Sequence, residues 1–401
     1  MRERYENAMK SFNDIIPTRQ QMIGKASAEL DPYDPMRELA KILHPDKVYM
    51  VIDEITEETK DTKTFKFVPD KESGTEKLPY FRAGQYISIK AEVNGSKITR
   101  PYSLSSSPHD ALKRGFYTIT IRKKEGGFFT QYIWENWKVG TKVESSSPLG
   151  FFYYHPVRDA KNVIGLAGGS GITPMRSFAR DIIEKDLDIN FTLFYGIERE
   201  DEIIFKEELD SFEKQSNGKV KVVYVCNHPC EGWDGCTGYL SAELIKEQVD
   251  VEDRTFIICG PKGMYDYLDG ELAKLNIPRR RIRKEAPGEA NDITKYPDYP
   301  QDLKDEVFNI VVHIGTSNVT IPAKATDTIL VSLEKAGIAS PSECRSGECG
   351  FCRSKLIAGD VYIKKDVDGR RIADKMYGYI HPCSTYPTEN LEIEIPLIQR
   401  D

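Results

Sequence analysis

Ser342-Glu343-Cys344-Arg345-Ser346-Gly347-Glu348-Cys349-Gly350-Phe351-Cys352 is the stretch that decides the C-terminal fold, and Cys383 follows it after thirty intervening residues. The spacing C-x4-C-x2-C with a distant fourth cysteine is a [2Fe-2S] ligand arrangement. Two irons need four converging thiolates; one tight loop supplies three and also brings backbone N–H groups to the sulfurs. Ser346, Gly347 and Gly350 suit such a loop, because glycine accepts the backbone angles and the close approach it requires. A zinc knuckle would pair two short C-x2-C units, whereas this pattern divides three to one. The metal ligands expected are therefore Cys344, Cys349, Cys352 and Cys383.

Outward from this loop, Val307 to the C-terminus reads as a strand pair around Gly315, a helix over 326–336 closed by Gly337, the cysteine loop, and a last strand over 391–395. Upstream, residues 286–306 carry Pro287, Gly288, Pro297 and Pro300 with little apolar content, and read as a linker whose length permits domain motion. Residues 158–285 alternate apolar strands (163–167, 191–195, 220–225, 255–259) with helical runs, as a parallel α/β sheet does. Residues 47–157 are short strands rich in Val, Ile, Thr, Tyr and Phe, separated by turns at Asn94-Gly95, Arg114-Gly115 and Gly126-Gly127, which predicts a small antiparallel barrel. Residues 1–46 read as a helical extension. Tyr5, Met9, Phe12 and Ile16 recur at helical spacing until Pro17 interrupts them, and Asp34-Pro35 starts a second helix bearing Leu39, Ile42 and Leu43.

The flavin and nucleotide signals lie in the two middle domains. In Arg100-Pro101-Tyr102-Ser103-Leu104-Ser105, an arginine can pair with a flavin phosphate, a tyrosine can lie on the isoalloxazine ring, and a serine hydroxyl can reach the ring nitrogen. Val163 to Met175 (VIGLAGGSGITPM) is a buried strand that turns through Gly168, Gly169 and Gly171 into a helix, where backbone N–H groups can meet a pyrophosphate. Each feature alone has a plainer reading: a strand tyrosine, a tight glycine turn, a buried thiol at Cys259.

Together these motifs resemble the ferredoxin-NADP reductase superfamily over residues 48–285, and residues 307–395 resemble a plant-type ferredoxin. The resemblance implies a multidomain chain: an FAD-binding β-barrel (47–157), an NAD(P)H-binding α/β domain (158–285), a linker (286–306) and an α+β, β-grasp ferredoxin domain (307–401), behind the helical extension (1–46). Gly127-Phe128-Phe129-Thr130 looks like the family's phosphate turn, so Arg100, Tyr102, Ser103, Gly127 and Thr130 are its expected flavin contacts; Gly168, Gly169, Gly171, Thr173, Gly260 and Pro261 are its expected nicotinamide-dinucleotide contacts. Ser147-Pro148-Leu149-Gly150-Phe151 takes the place of the G-P-x-G-x-F turn with serine for the first glycine, and the Ser105-Ser106-Ser107 run is similar to FAD-binding rather than FMN-binding members. Cys259-Gly260-Pro261 matches the C-G-P motif, whose cysteine lies beside the reacting nicotinamide carbon, and Glu285 falls near an acidic residue brought close to the flavin; Ser103, Cys259 and Glu285 are the implied catalytic set. Ala286 replaces the aromatic residue common after that acidic position, and His381 stands where the ferredoxin family often has an apolar residue.

The expected activity is that of an NAD(P)H-dependent oxidoreductase: electrons pass from NADH through FAD and the cluster to a redox protein acceptor, as in the reductase component of a multi-component enzyme. The alternative is an electron-input subunit permanently assembled in a larger redox complex. After Val225 the chain has Cys226-Asn227-His228-Pro229 and no fixed cation to meet the extra phosphate of NADPH, so NADH is expected and NADPH is the alternative. Cys226, His228, Cys230 and Cys236 crowd one loop; zinc is an alternative there to free thiols. The 401 residues carry a net charge of -7, which argues against nucleic acid, and no run approaches the roughly 20 apolar residues of a membrane span. Eight cysteines without a disulfide framework fit a reducing, cytoplasmic setting.

Overall fold

A computed structural model describes residues 2–26, 34–93, 95–285, 288–290, 292–364 and 368–397. Asn94, Ala286 and Pro287, named above, lie outside the described residues. The chain divides into two units, Met1–Leu43 and His44–Asp401.

In the first unit, helix α1 (Arg2–Lys25) runs through Pro17 and does not stop there. Pro17 and the rest of 14–26 are exposed, and the break expected from sequence does not occur. Helix α2 (Pro35–Leu43) starts where Asp34 Oδ1 accepts from the amides of Met36 (3.0 Å) and Arg37 (3.2 Å).

In the second unit, apolar residues alternate along β1 (Val48–Thr59), placing Val48, Met50 and Ile52 on one buried face. With β2 (Thr62–Pro69), β3 (Tyr86–Val93), β4 (Ser96–Ser103), β5 (Tyr117–Arg122) and β6 (Lys142–Ser145), it forms an antiparallel sheet in the order β4-β3-β6-β1-β2-β5. The outer strands meet through the Leu104–Ile119 bridge and the Ser105 amide donating to Thr118 O (2.8 Å), so the sheet curls into a barrel. Helix α3 (Phe128–Asn136) leads to Trp137, which packs edge-on against Phe65 and Phe67.

The second layer is a parallel sheet of β7 (Asn162–Gly168), β8 (Asn190–Ile197), β9 (Val220–Cys226), β10 (Cys236–Thr237), β11 (Thr255–Cys259) and β12 (Ile282–Lys284), in the order β10-β9-β8-β7-β11-β12. β7 has no polar face because both faces are covered. Val163 and Ala167 pack in the core with α4 (Ile172–Lys185) and α5 (Lys206–Gln215), while Ile164 and Leu166 pack with α6 (Ala242–Gln248) and α7 (Lys262–Lys274). Chain order reverses between β7 and β11, and ligands of such sheets bind outside the strand ends at that point.

The third layer contains β13 (Val307–Ile314), β14 (Ser317–Lys324), β15 (Ser354–Ala358), β16 (Val361–Ile363), β17 (Tyr379–Ile380), β18 (Thr385–Pro387) and β19 (Leu391–Glu394). Its mixed sheet runs β14-β13-β19-β15-β17, with β13 parallel to β19, and β16 pairs separately with β18. Helix α8 (Ile329–Lys335), capped by Thr328, covers the sheet; the shorter α9 (Ile372–Met376) precedes β17. This is the ferredoxin-type arrangement expected. Among the described residues, no helix is long and apolar enough to cross a membrane.

Candidate functional site: a cleft shared by three domains

A cleft of about 710 Å³ opens where barrel strand β4, the ends of β7 and β11, and the cysteine loop meet. Its walls include Tyr102, Ser103, Gly168, Gly169, Gly171, Thr173, Cys259, Gly260, Pro261, Glu285 and Cys344, which the sequence spreads over more than half the chain.

Glu285 ties the cleft together. The Ser103 hydroxyl donates to its Oε1 at 2.5 Å and the Cys259 thiol to its Oε2 at 2.5 Å. The Glu285 amide donates to Ile258 O, and the Tyr265 hydroxyl donates to the Glu285 carbonyl (3.0 Å), so the backbone carrying the carboxylate is fixed beside the end of β11. Burial raises the pKa of Glu285, while the bonds from Cys259 and Ser103 pull it down. Burial also pushes the Cys259 thiol well up, reinforced by the negative charge of Glu285, so the neutral thiol is the form that donates.

The glycine turn stands against the Cys259 turn because β7 and β11 are paired, with Ala167 opposite Cys259. A Cβ on Gly171 would lie 2.1 Å from Cys259 O, and one on Gly168 would lie 2.5 Å from the Met264 sulfur. At Gly171, where the neighbour is backbone, only glycine permits that approach. Gly169 has φ +52°, and Thr173 Oγ1 donates to Ser170 O at the start of α4. The open amides of this turn and helix end suit a pyrophosphate.

Three expected flavin contacts, Arg100, Gly127 and Thr130, do not line this cleft. Arg100 Nη1 donates to Thr99 O (2.8 Å) and lies 3.5 Å from Glu334 of α8. Thr130 Oγ1 donates to Gly127 O (3.3 Å) at the start of α3, whose Phe129 stacks on Tyr102 with ring centroids 6.3 Å apart. Motif reading did not find Tyr265, or Arg122, which bonds both Asp61 of the barrel and Glu202 of the nucleotide domain. Arg122 acts across domains, Tyr265 acts within the nucleotide domain on the backbone of Ile258, Gly260 and Glu285, and no local pattern marks either.

At the cysteine loop, Cys352 Sγ and Cys383 Sγ lie 3.4 Å apart. The amides of Ser346 and Cys349 point at Cys344 Sγ, that of Gly347 at Cys383 Sγ, and that of Phe351 at Cys349 Sγ, at 3.3–3.4 Å. Gly347 and Gly350 have φ +80° and +72°, which turn those amides inward. Thiols so surrounded by N–H donors fit a thiolate-held cluster. A two-iron cluster divides its four thiolates between two metals, so convergence on one point is not required of them. His381 reaches the same loop, its Nδ1 2.5 Å from Gly347 O.

The other cysteine loop is arranged differently. Cys226 Sγ faces Glu198 O and Cys230 Sγ faces Glu200, and among the described residues no three His, Cys, Asp or Glu side chains are placed to hold a single ion.

Comparison with known proteins agrees with this layout. Residues 49–154 match an oxidoreductase FAD-binding domain, 166–269 an oxidoreductase NAD-binding domain, and 312–388 a 2Fe-2S iron-sulfur cluster binding domain. The chain is 31% identical over 231 residues to NADH-cytochrome b5 reductase 1 of Cryptococcus neoformans, covering 55% of this chain and 76% of that one. It is 25% identical over 355 residues to the glycine betaine monooxygenase reductase subunit of Chromohalobacter salexigens, covering 85% and 93%. In fold it is similar to phthalate dioxygenase reductase, described as a modular structure for electron transfer from pyridine nucleotides to [2Fe-2S]; the TM-score is 0.62 at 24% identity, over 88% of this chain and 98% of that one.

Proposed function

Because this chain belongs to the ferredoxin-NADP reductase superfamily, with a C-terminal [2Fe-2S] domain, we propose that it is the reductase component of an oxygenase system, with the oxygenase as its protein acceptor. The chain is an NAD(P)H-dependent electron-transfer oxidoreductase that uses FAD and a [2Fe-2S] cluster. The flavin supplies the conversion from a two-electron hydride donor to one-electron output, and the cluster supplies the one-electron exit.

The observation that carries the assignment of residues is the Ser103–Glu285–Cys259 constellation. With the cofactors bound, Ser103 would be the hydroxyl nearest the flavin ring nitrogen and Cys259 would lie beside the nicotinamide, while Glu285 holds both donors from a desolvated position. Gly168, Gly169, Gly171 and Thr173 receive the dinucleotide pyrophosphate, and Gly260 and Pro261 shape the nicotinamide pocket. Arg100, Tyr102, Gly127 and Thr130 hold FAD. Cys344, Cys349, Cys352 and Cys383 hold the cluster, and its loop reaches the same cleft through Cys344. The domain limits are those read from the sequence, and the protein works in the cytoplasm.

Acidic groups beside the β9 loop favour NADH. The Asn227 amide donates to Glu198 Oε2 (3.0 Å) and the His228 amide to Glu198 O (2.9 Å), with Glu200 beside Cys230. These carboxylates repel the extra phosphate of NADPH. Rapid mixing of the FAD-loaded protein with each nucleotide tests this: flavin bleaching is faster with NADH, and a preference for NADPH contradicts it.

A further inference from the structure

As sequence, residues 286–306 read as a loose tether; in the structure their described part grips the domains on either side. Tyr296 is 8% exposed, and two cations face its ring: Lys262 Nζ at 4.4 Å from the centroid and Lys364 Nζ at 4.3 Å. Lys262 begins α7 directly after the Cys259-Gly260-Pro261 turn, whereas Lys364 follows β16 in the ferredoxin domain. One ring therefore binds a cation from each domain, and a cation–π contact is stronger when shielded from water. Ile293, Tyr299 and Tyr386 pack around it, and Tyr386 lies three residues beyond Cys383. A cavity of about 150 Å³ beside the ring is walled by Pro261, Lys262, Tyr296, Ser346, Lys364 and Cys383.

A second grip uses Glu289. It accepts from Arg345 Nη2 at 2.6 Å; Arg345 adjoins Cys344, is 2% exposed, and donates through Nη1 to Glu334 at 2.5 Å. Glu334 in turn lies 3.5 Å from Arg100 on the flavin barrel. The segment thus touches the cluster loop through Glu289 and both the nucleotide and ferredoxin domains through Tyr296.

We propose that Tyr296 is a positioning residue for electron transfer: by clamping Lys262 and Lys364 on one ring, it holds the ferredoxin domain where its cluster loop borders the flavin cleft. This rests on the relay proposed above. Transfer between redox groups falls steeply with separation, so loosening the clamp slows the passage from flavin to cluster and leaves the hydride step alone.

The test mixes FAD- and cluster-loaded protein anaerobically with NADH and follows flavin bleaching and cluster reduction separately. Tyr296→Leu keeps apolar bulk but loses the ring's attraction for cations; Tyr296→Phe keeps the ring. Lys364→Met is a second way to open the clamp if the leucine variant folds poorly. Cluster reduction in Tyr296→Leu and Lys364→Met is expected to be roughly ten-fold slower, equivalent to about 1.4 kcal/mol. Flavin bleaching, iron content and the paramagnetic spectrum of the reduced cluster stay as in the parent, and Tyr296→Phe, which loses only the phenol oxygen that also bonds Lys262, stays closer to the parent than to the leucine variant. A leucine variant with parental cluster kinetics overturns the clamp, as does a phenylalanine variant as slow as leucine. An altered cluster spectrum shows local damage in place of positioning. A parent protein whose cluster is never reduced overturns the relay and the clamp together.

Discussion

Replacing Ser103 with alanine removes one of the two donors that meet the Glu285 carboxylate. At 2.5 Å from a desolvated acid, the bond is charge-assisted, and hydrogen bonds to charged groups contribute about 1.5–3 kcal/mol. At about 1.4 kcal/mol per factor of ten, flavin reduction should slow by roughly ten-fold to a hundred-fold if that interaction is fully felt in the hydride step. The pH profile should move as well. Burial already raises the Glu285 pKa and the Ser103 bond lowers it, so without the hydroxyl the pKa rises further. A step that requires the carboxylate is lost as pH falls through that pKa, so the acid limb of the profile shifts to higher pH. Stopped-flow bleaching of the flavin by NADH over a pH series measures both effects, and FAD content should be unchanged. A parental rate and an unmoved acid limb would refute the placement of the hydride site on Ser103 and Glu285.

Cys383→Ser should abolish delivery to a one-electron protein acceptor while sparing NADH-driven reduction of a small flavin-reactive dye; loss of both activities with FAD still bound would contradict a linear relay. Gly171→Ala forces a Cβ to 2.1 Å from Cys259 O, so it should lower stability by about 1–3 kcal/mol and weaken NADH binding, as read by denaturant unfolding and titration. Glu285→Gln should gain stability relative to the parent as pH rises. A folded-state pKa above the unfolded one gives stability that is full below the unfolded pKa and lost as pH climbs through the folded pKa, and the amide has nothing to lose; thermal midpoints at a series of pH values check this.

The cysteines proposed as cluster ligands stand out in the sequence because one loop carries three of them, and its spacing and glycines follow local geometry. The parallel sheet was legible for a similar reason: a strand buried on both faces, such as β7, leaves a continuous apolar run. The constellation around Glu285 was only half visible. Resemblance singles out Ser103, Cys259 and Glu285 one by one, but their meeting depends on packing barrel against parallel sheet, which no spacing records. Arg122 escaped for the same reason, and Tyr265 because its bond to the Glu285 carbonyl joins residues twenty apart within the nucleotide domain. The segment after Glu285 misled because its prolines and polar residues are those of a loop, while its order comes from Tyr296 and Tyr299 packing with Tyr386 far along the chain. Pro17 misled in the opposite sense: α1 continues through it to Lys25 on an exposed stretch.

The relay itself is tested most directly by an anaerobic NADH pulse to the FAD- and cluster-loaded protein, with flavin absorbance and the cluster's paramagnetic signal followed in one time course. Flavin reduction should come first, the cluster signal should follow and account for the bound iron, and Cys383→Ser should keep the first phase and lose the second. A cluster signal that precedes flavin reduction, or that never forms while the flavin is fully reduced, would contradict transfer from NADH through FAD to the Cys344–Cys383 cluster.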